Sequence, residues 1–295
     1  MTANVHRLLA VCCLCLVVGG LFPRAASATL WSVPENAKEW SDLRSCLLQG
    51  SENVVLARID SCGDSYEQPV ACTALEYFKG GPYPLDRFSY FDYGPNAVVK
   101  GERYLLFLSR SARYPRTLTL PPHRYHIADN DRSIELPLYS TSWSSYRDSI
   151  VVELASLTPS NLALTADCAI RGTITDPQLV GSTRRKYGSL GIRVRTNYTT
   201  PAAASDAVVL LDFPSGPDAR WKWLNLPPLT PDQDVILFLD REPSGHFTLH
   251  GGLYGMWSVG GDSARVSCPT QGADGPLTIL AVMLTDSLLT IINKR

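Results

Sequence analysis

Two short apolar stretches of one pattern stand out along the chain. Residues 101–110 and residues 232–241 each begin with a polar turn and continue as an apolar run. They share Leu-Phe-Leu followed two positions later by Arg. A short, continuously apolar run is typical of a strand that is buried on both faces. Because the run recurs about one small domain later, the pattern predicts an internal duplication.

The first copy is predicted to consist of short strands between two helices. Trp40, Leu43 and Leu47 share a helical face before the strands, and Tyr146 and Ile150 share one after them, within a helix predicted over residues 144–157. Between the two helices, strand-like runs cover residues 54–59, 70–78, 88–93, 104–108 and 116–120.

The second copy repeats this order. Besides the second Leu-Phe-Leu run, strand-like segments cover residues 168–174, 192–197, 207–213 and 246–249, and a strand pair interrupted by glycines is predicted over residues 251–259. Arg171 is aligned with Arg58 of the first copy. Ile192 and Val194 alternate with Arg193 and Arg195, which is the pattern of a half-exposed strand.

The C-terminal tail, residues 277–292, is almost entirely apolar. Pro276 precedes it, and Asp286 is its one charged residue. We predict a helix that packs on the second copy. The alternative is a membrane span, but sixteen helical residues would reach only about 24 Å across an apolar layer of about 30 Å. We therefore expect no membrane span in the mature chain.

Together these patterns predict a mainly β fold with a few flanking helices (β+α). Residues 1–28 are a predicted signal peptide, because Arg7 precedes the apolar segment 8–22 and Ala26-Ser27-Ala28 fits the rule for cleavage after Ala28. The alternative is an uncleaved membrane anchor. The remaining residues suit two domains of ordinary size, 29–157 and 158–295. We expect a secreted or extracytoplasmic protein.

Five cysteines follow the predicted signal peptide, namely Cys46, Cys62, Cys72, Cys168 and Cys268. In an oxidising compartment such residues usually pair. Cys168 and Cys268 bound the second copy, so we expect a disulfide between them. Cys62 ends one predicted strand and Cys72 begins the next, which favours a second, hairpin-type disulfide and leaves the partner of Cys46 open.

Two short motifs resemble netrin-type modules. A strand ends in Glu-Tyr-Phe-Lys-Gly at residues 76–80, and residues 101–108 read Gly-Glu-Arg-Tyr-Leu-Leu-Phe-Leu. The resemblance covers most of residues 46–120 and, more loosely, residues 164–259. It implies two tandem OB-like five-stranded β-barrels, as in uncharacterised exported bacterial proteins.

Protease inhibition is not implied by this resemblance. Tissue inhibitors of metalloproteinases share the module and carry Cys-x-Cys at the mature N-terminus. The predicted mature chain begins Thr29-Leu-Trp instead.

The clearest surface signal is basic and aromatic. It comprises Arg184, Arg185, Lys186, Arg193, Arg195, Trp221 and Trp223. On an OB-like barrel, loops and one strand face form the usual ligand platform. Basic groups beside indoles suit an anionic glycan, through charge and stacking. The alternative is a solvated hairpin next to buried tryptophans.

The sequence contains no nucleophile elbow, phosphate-binding loop, dinucleotide fingerprint or His-Glu-x-x-His motif. The chain without its signal peptide has a net charge of about −3, which argues against general binding to nucleic acid or to anionic membranes. We therefore expect a secreted, non-enzymatic binding protein without a cofactor, for an anionic glycan or an extracellular partner protein. The alternatives are a hydrolase built from scattered carboxylates such as Asp212 and Asp240, and a structural envelope protein.

Overall fold

Two β-sheets flanked by helices make up the structure. This computed structural model describes residues 37–62, 68–81, 86–92, 97–111, 114–119, 124–128, 130–136, 139–179, 187–199, 208–212, 227, 229–269 and 277–294. The predicted signal peptide lies outside these ranges. Residues 34–295 form one compact unit. The predicted mainly β fold with a few helices is confirmed.

In its described residues, the first half of this unit contains eight strands between two helices. In chain order they are α1 (Ala37–Gly50), β1 (Asn53–Ser61), β2 (Val70–Lys79), β3 (Arg87–Tyr90), β4 (Arg103–Ser109), β5 (Thr117–Leu118), β6 (Arg124–Ala128), β7 (Ser133–Leu136), β8 (Tyr139–Ser142) and α2 (Trp143–Ser156). Ser142 caps α2, because its hydroxyl oxygen accepts a hydrogen bond from the N–H of Ser145.

The second half repeats the same order of elements. They are α3 (Pro159–Thr165), β9 (Cys168–Leu179), β10 (Tyr187–Asn197), β11 (Val208–Asp212), β12 (Asp234–Arg241), β13 (Phe247–Leu249), a 3₁₀ helix (Gly252–Gly255), β14 (Met256–Gly260), β15 (Ser263–Pro269), β16 (Leu277–Leu284) and α4 (Thr285–Asn293). Apart from the 3₁₀ helix, each element has a counterpart in the first half.

Strand pairing is also the same in the two halves. The first sheet has the order β3-β2-β1-β4-β6-β7-β8, with β5 on β4; the second contains β11-β10-β9-β12-β14-β15-β16, with β13 on β12. These pairings are antiparallel. One parallel contact recurs in addition: Phe91, next to β3, bridges to Thr117 on β5, and β11 pairs with β13. The duplication therefore includes all eight strands of each half.

The two Leu-Phe-Leu runs occupy equivalent central positions. Phe107 on β4 lies opposite Val54 on β1, and Phe238 on β12 lies opposite Ala169 on β9. Both phenylalanines are fully buried. Their burial confirms that these strands organise their sheets.

The register corrects one predicted equivalence. Arg58 lies opposite Arg103, and the matching pair in the second half is Thr173 opposite Asp234. Arg171, opposite Ile236, is therefore not the counterpart of Arg58. Register is specified by the residues that must face the core, and a charged side chain on the outer face does not fix it.

Each repeated run begins at a left-handed residue. Gly101 has φ 91° and Asp232 has φ 63°. The N–H of Gly101 donates to the Ile59 carbonyl and that of Asp232 to the Ile174 carbonyl, each at 2.8 Å. Glycine adopts this conformation without strain, and aspartate is among the few other residues that tolerate it. The polar turn of the motif therefore has the same backbone geometry in both halves.

The C-terminal tail differs from the single helix that the sequence predicted. Residues 277–284 form β16, and only residues 285–293 form a helix, α4. β-branched residues favour a strand here, and β15 provides an antiparallel partner. Leu288 and Ile292 on α4 are buried in the hydrophobic core of the second half, as expected for a packed helix.

Residues 251–259 also differ from the predicted strand pair. Gly251 and Gly252 have positive φ angles of 71° and 59°. They start the 3₁₀ helix, and β14 follows it and pairs with β12 and β15.

The end of α1 connects the two halves. The side-chain oxygen of Gln49 accepts a hydrogen bond from the N–H of Leu253, at 2.9 Å. The ammonium group of Lys79 donates to the carbonyls of Leu48 at 2.6 Å and Gln49 at 3.1 Å, and it lies 4.9 Å from the ring centroid of Tyr254. Lys79 thus satisfies carbonyl groups at the C-terminal end of the helix.

Lys79 gives a pH-dependent prediction. Burial of the ammonium lowers the pKa of Lys79 from its ordinary value of 10.5 to about 7. Between pH 7 and pH 9 the unfolded chain therefore holds a proton that the folded chain has lost, and stability rises with pH. We expect the unfolding free energy of the wild type to increase relative to that of Lys79→Met over this range, as measured by urea unfolding.

Comparison with the variant separates Lys79 from the buried thiols. Burial raises the pKa of Cys46 and of Cys268 to about 12, so above pH 9 these thiols make stability fall, in wild type and variant alike. Lys100→Met, which replaces an exposed lysine by the same residue, methionine, is the control for the substitution itself. Parallel profiles for the wild type and Lys79→Met would contradict the assignment.

Candidate binding surface

Arg193 and Arg195 project from one exposed face of β10. They alternate with Ile192 and Val194, which are fully buried. Side chains two residues apart on a strand point to the same side, about 7 Å from each other. The structure therefore confirms the alternation of buried and exposed residues that the sequence predicted.

Neither arginine forms an ion pair with an acidic residue whose side chain the structure describes. Several other arginines on strands do so: Arg58 pairs with Asp60, Arg103 with Asp131, and Arg171 with Asp234. Arg193 and Arg195 have no such carboxylate partner among the described side chains. Arg265 on β15 likewise forms no ion pair with an acidic side chain that the structure describes; β10 differs in carrying two such arginines, separated by one residue.

The basic face is specific to the second half. Arg193 lies opposite Thr173 on β9, and the register places Thr73 at the matching position of β2. Arg195 falls at a bulge whose counterpart in β2 contains Leu75. Since the same backbone carries threonine and leucine in the first half, the two arginines are not needed to build the strand.

The remaining predicted binding residues lie outside the described residues. They are Arg184, Arg185, Lys186, Trp221 and Trp223. Arg184, Arg185 and Lys186 belong to the segment between β9 and β10, and the two tryptophans to the segment between β11 and β12. Their place beside Arg193 and Arg195 stays a prediction.

The structure contains neither predicted disulfide. In the order of the second sheet, β12 and β14 separate Cys168 on β9 from Cys268 on β15. Ser61 lies opposite Ala71, so Cys62 is displaced along the hairpin from Cys72. A diagonal pair of this kind is too widely spaced for the Cβ separation of about 3.8 Å in a disulfide. The predictions of a Cys168–Cys268 and a Cys62–Cys72 disulfide are therefore wrong.

A hydrogen-bonded chain of hydroxyl, imidazole and carboxylate lies at the end of α3. His250 Nε2 is 2.7 Å from Thr165 Oγ1, and His250 Nδ1 is 2.9 Å from Asp240 Oδ2. This order of groups is the one found around activated nucleophiles. Asp240, proposed above as a carboxylate of a hydrolase site, is thus engaged with His250.

The first half makes the same connection without an acid or a base. Ser51 Oγ, just after α1, lies 2.8 Å from Thr119 Oγ1. The N–H of Thr119 donates to the Phe107 carbonyl, as the N–H of His250 does to the Phe238 carbonyl. Because a pair of buried hydroxyl groups occupies this position in one half, we interpret the contact as a connection between helix and sheet. In the second half, His250 takes part in this connection between helix and sheet.

His126 lies between two carboxylates on the surface of the first sheet. Its Nδ1 is 2.7 Å from Glu135 and its Nε2 is 3.2 Å from Glu102. Although burial alone would lower it, these carboxylates raise the pKa of His126. Among the described residues, no group of three or more His, Cys, Asp or Glu side chains is arranged to hold a metal ion.

None of the described helices is long and apolar enough to cross a membrane. No protein-family model, no curated protein and no solved structure matches this chain.

Proposed function

We propose that this chain is an exported, non-enzymatic binding protein built from two OB-like barrels. Its second half holds an anionic polymer, such as an acidic polysaccharide, on the face of β10. The single observation that carries this proposal is the exposed pair Arg193 and Arg195, which form no ion pair with any acidic side chain that the structure describes. Export rests on the signal-peptide pattern of residues 1–28.

Strand pairing supports the barrel interpretation. In the second half β9 pairs with β10, β10 with β11, β11 with β13, β13 with β12, and β12 again with β9. Numbered from β9, this is the order 1-2-3-5-4 returning to 1. The first half has the same order through the bridge between Phe91 and Thr117. A five-stranded Greek-key barrel of this kind is the OB architecture.

The barrel interpretation makes β10 a favourable place for a ligand. Taken as an OB-like barrel, the second half has β10 as its second strand, and the second and third strands with the neighbouring loops form the ligand platform of OB folds. Guanidinium groups form forked, charge-assisted hydrogen bonds with sulfate and carboxylate oxygens. Arg184, Arg185 and Lys186 would extend the positive charge along the chain. An extended polyanion therefore fits this surface.

The test is a titration of the purified mature protein with a sulfated polysaccharide and with a neutral one. We expect the sulfated polymer to bind, and its affinity to fall as salt screens the arginines over a Debye length of about 8–10 Å. Replacing both Arg193 and Arg195 by Ser should weaken binding about tenfold or more, because a hydrogen bond to a charged group contributes roughly 1.5–3 kcal/mol.

The double variant Arg87→Ser with Arg265→Ser is the matched control, because it also removes two exposed arginines from strands, one on β3 and one on β15. Like Arg193, Arg265 is exposed between two buried residues, Ala264 and Val266. This variant should bind like the wild type. Equal loss of affinity in both variants would reduce the effect to net charge and contradict a site on β10. Absence of binding to any polyanion would refute the proposed function.

A further inference from the structure

The last strand of the second sheet presents an exposed apolar stripe. β16 is the outermost strand of that sheet, and no described strand pairs with its outer edge. Leu277, Ile279, Val282 and Leu284 are 42%, 49%, 63% and 63% exposed. Single exposed apolar residues are common on protein surfaces, whereas a row of four along one strand indicates an interaction site.

A bulge brings these four side chains to one face. Ala281 lies opposite Val266 and Ile279 lies opposite Ser267, so Leu280 is an extra residue in β16. One extra residue shifts the alternation of a strand by one position. Leu280 and Met283 accordingly pack against the core, while the residues at 277, 279, 282 and 284 remain outside it.

The equivalent strand of the first half lacks this character. β8 has only four residues, Tyr-Ser-Thr-Ser, at positions 139–142. β16 has eight residues, Leu-Thr-Ile-Leu-Ala-Val-Met-Leu, and contains neither a charge nor a proline. Natural edge strands avoid unwanted pairing by being short or charged, or by carrying proline. β16 therefore lacks the features that keep an edge strand from pairing, whereas its counterpart β8 is short and polar.

We propose that β16 pairs antiparallel with β16 of a second copy of this chain, about a two-fold axis between Leu280 and Ala281. This register places Leu277 opposite Leu284 of the second copy. It also places Ile279 opposite Val282 of the second copy. Every exposed apolar side chain then faces another one, and no like charges meet. The shared ladder is about 26 Å long, and its contacts are isologous, as a closed dimer requires.

Self-complementarity favours a second copy over a lipid surface as the occupant of this face. A lipid surface could cover the four side chains. It would leave the N–H and C=O groups along the strand edge without partners, which is costly in an apolar environment. A second strand satisfies the backbone groups and buries the apolar stripe at the same time.

The test measures the molar mass of the mature protein by analytical ultracentrifugation over a concentration series. We expect a dimer that dissociates on dilution. Ile279→Lys places a lysine opposite Val282 twice per dimer and should raise the dissociation constant at least about tenfold. The double variant Ile279→Lys with Val282→Glu places opposite charges across the interface and should restore much of the dimer, which is specific to the proposed register.

Leu75→Lys is the control. Leu75 is 46% exposed on β2, which belongs to the first sheet, whereas β16 is the edge strand of the second. Its replacement should leave the dimer intact. Circular dichroism of each variant verifies that it is folded; if Ile279→Lys fails to fold, Val282→Lys is used in its place. A monomer at all concentrations would overturn the proposal, as would a dimer that Ile279→Lys does not affect. A monomer that binds neutral phosphatidylcholine vesicles through β16 would assign the face to lipid and would also overturn it.

Discussion

Replacing Phe238 by Ala is expected to lower the unfolding free energy by about 3–5 kcal/mol, and replacing Phe107 by Ala should have an effect of similar size. Both side chains are fully buried, and they occupy equivalent places on β12 and β4. The ring of Phe107 also packs edge-on against Tyr125, with centroids 5.7 Å apart. The cost arises from lost burial and from the cavity that the missing ring leaves.

Urea unfolding of the single and double variants measures this effect. Phe238→Leu serves as the conservative control, because it keeps most of the side-chain volume and should cost much less. Since the two phenylalanines belong to different sheets, the two costs should add within about 0.5 kcal/mol. Near-wild-type stability of both alanine variants would show that β4 and β12 are peripheral to the fold.

The second large effect is expected at Asp92. Its carboxylate lies 2.8 Å from the guanidinium of Arg124, and the two side chains are only 12% and 6% exposed. The hydroxyl of Tyr90 donates to the same carboxylate at 3.1 Å. Asp92→Ala leaves the Arg124 charge buried without this partner, which should cost about 3–5 kcal/mol. Because Asp92 follows β3 and Arg124 begins β6, this ion pair links the two sides of the first sheet.

A double variant separates the buried charge from the lost contact. Combining Asp92→Ala with Arg124→Met removes the unpaired charge and should recover a large part of the stability lost in the single variant. The exposed pair of Arg58 with Asp60 is the control, and Arg58→Ala should cost less than about 1 kcal/mol. If Asp92→Ala proves as mild as Arg58→Ala, the link between β3 and β6 does not support the fold.

The repeated core could be predicted from the sequence because its signal is local. The runs around Phe107 and Phe238 are continuously apolar, and each begins at a turn residue with positive φ. The strands added at the edge of each sheet could not be found in this way. β8 is short and polar, and its place depends on pairing with β7, a contact that no local pattern encodes. The prediction of a helix over residues 277–284 was wrong for another reason, because a short apolar run suits a strand and a helix equally well.

The candidate surface was predictable only where a strand carries it. Alternation along β10 was enough to place Arg193 and Arg195 on one exposed face. Contacts between distant residues left no such signal. Thr165 and His250 are 85 positions apart, and only the fold brings their side chains to hydrogen-bonding distance. The pairing of cysteines failed similarly, because spacing in the sequence does not indicate which strands are neighbours in the sheet.

The most direct test of the proposed function is hydrogen–deuterium exchange of the mature protein, with and without a saturating sulfated polysaccharide. The account predicts slower exchange in residues 187–197, which form β10, and in the basic segment 181–186 before it. The equivalent strand β2, residues 70–79, should exchange at an unchanged rate, because it carries Thr73 and Leu75 in place of the two arginines. Protection of β2 and β10 alike, or protection confined to other segments, would contradict a binding face on β10.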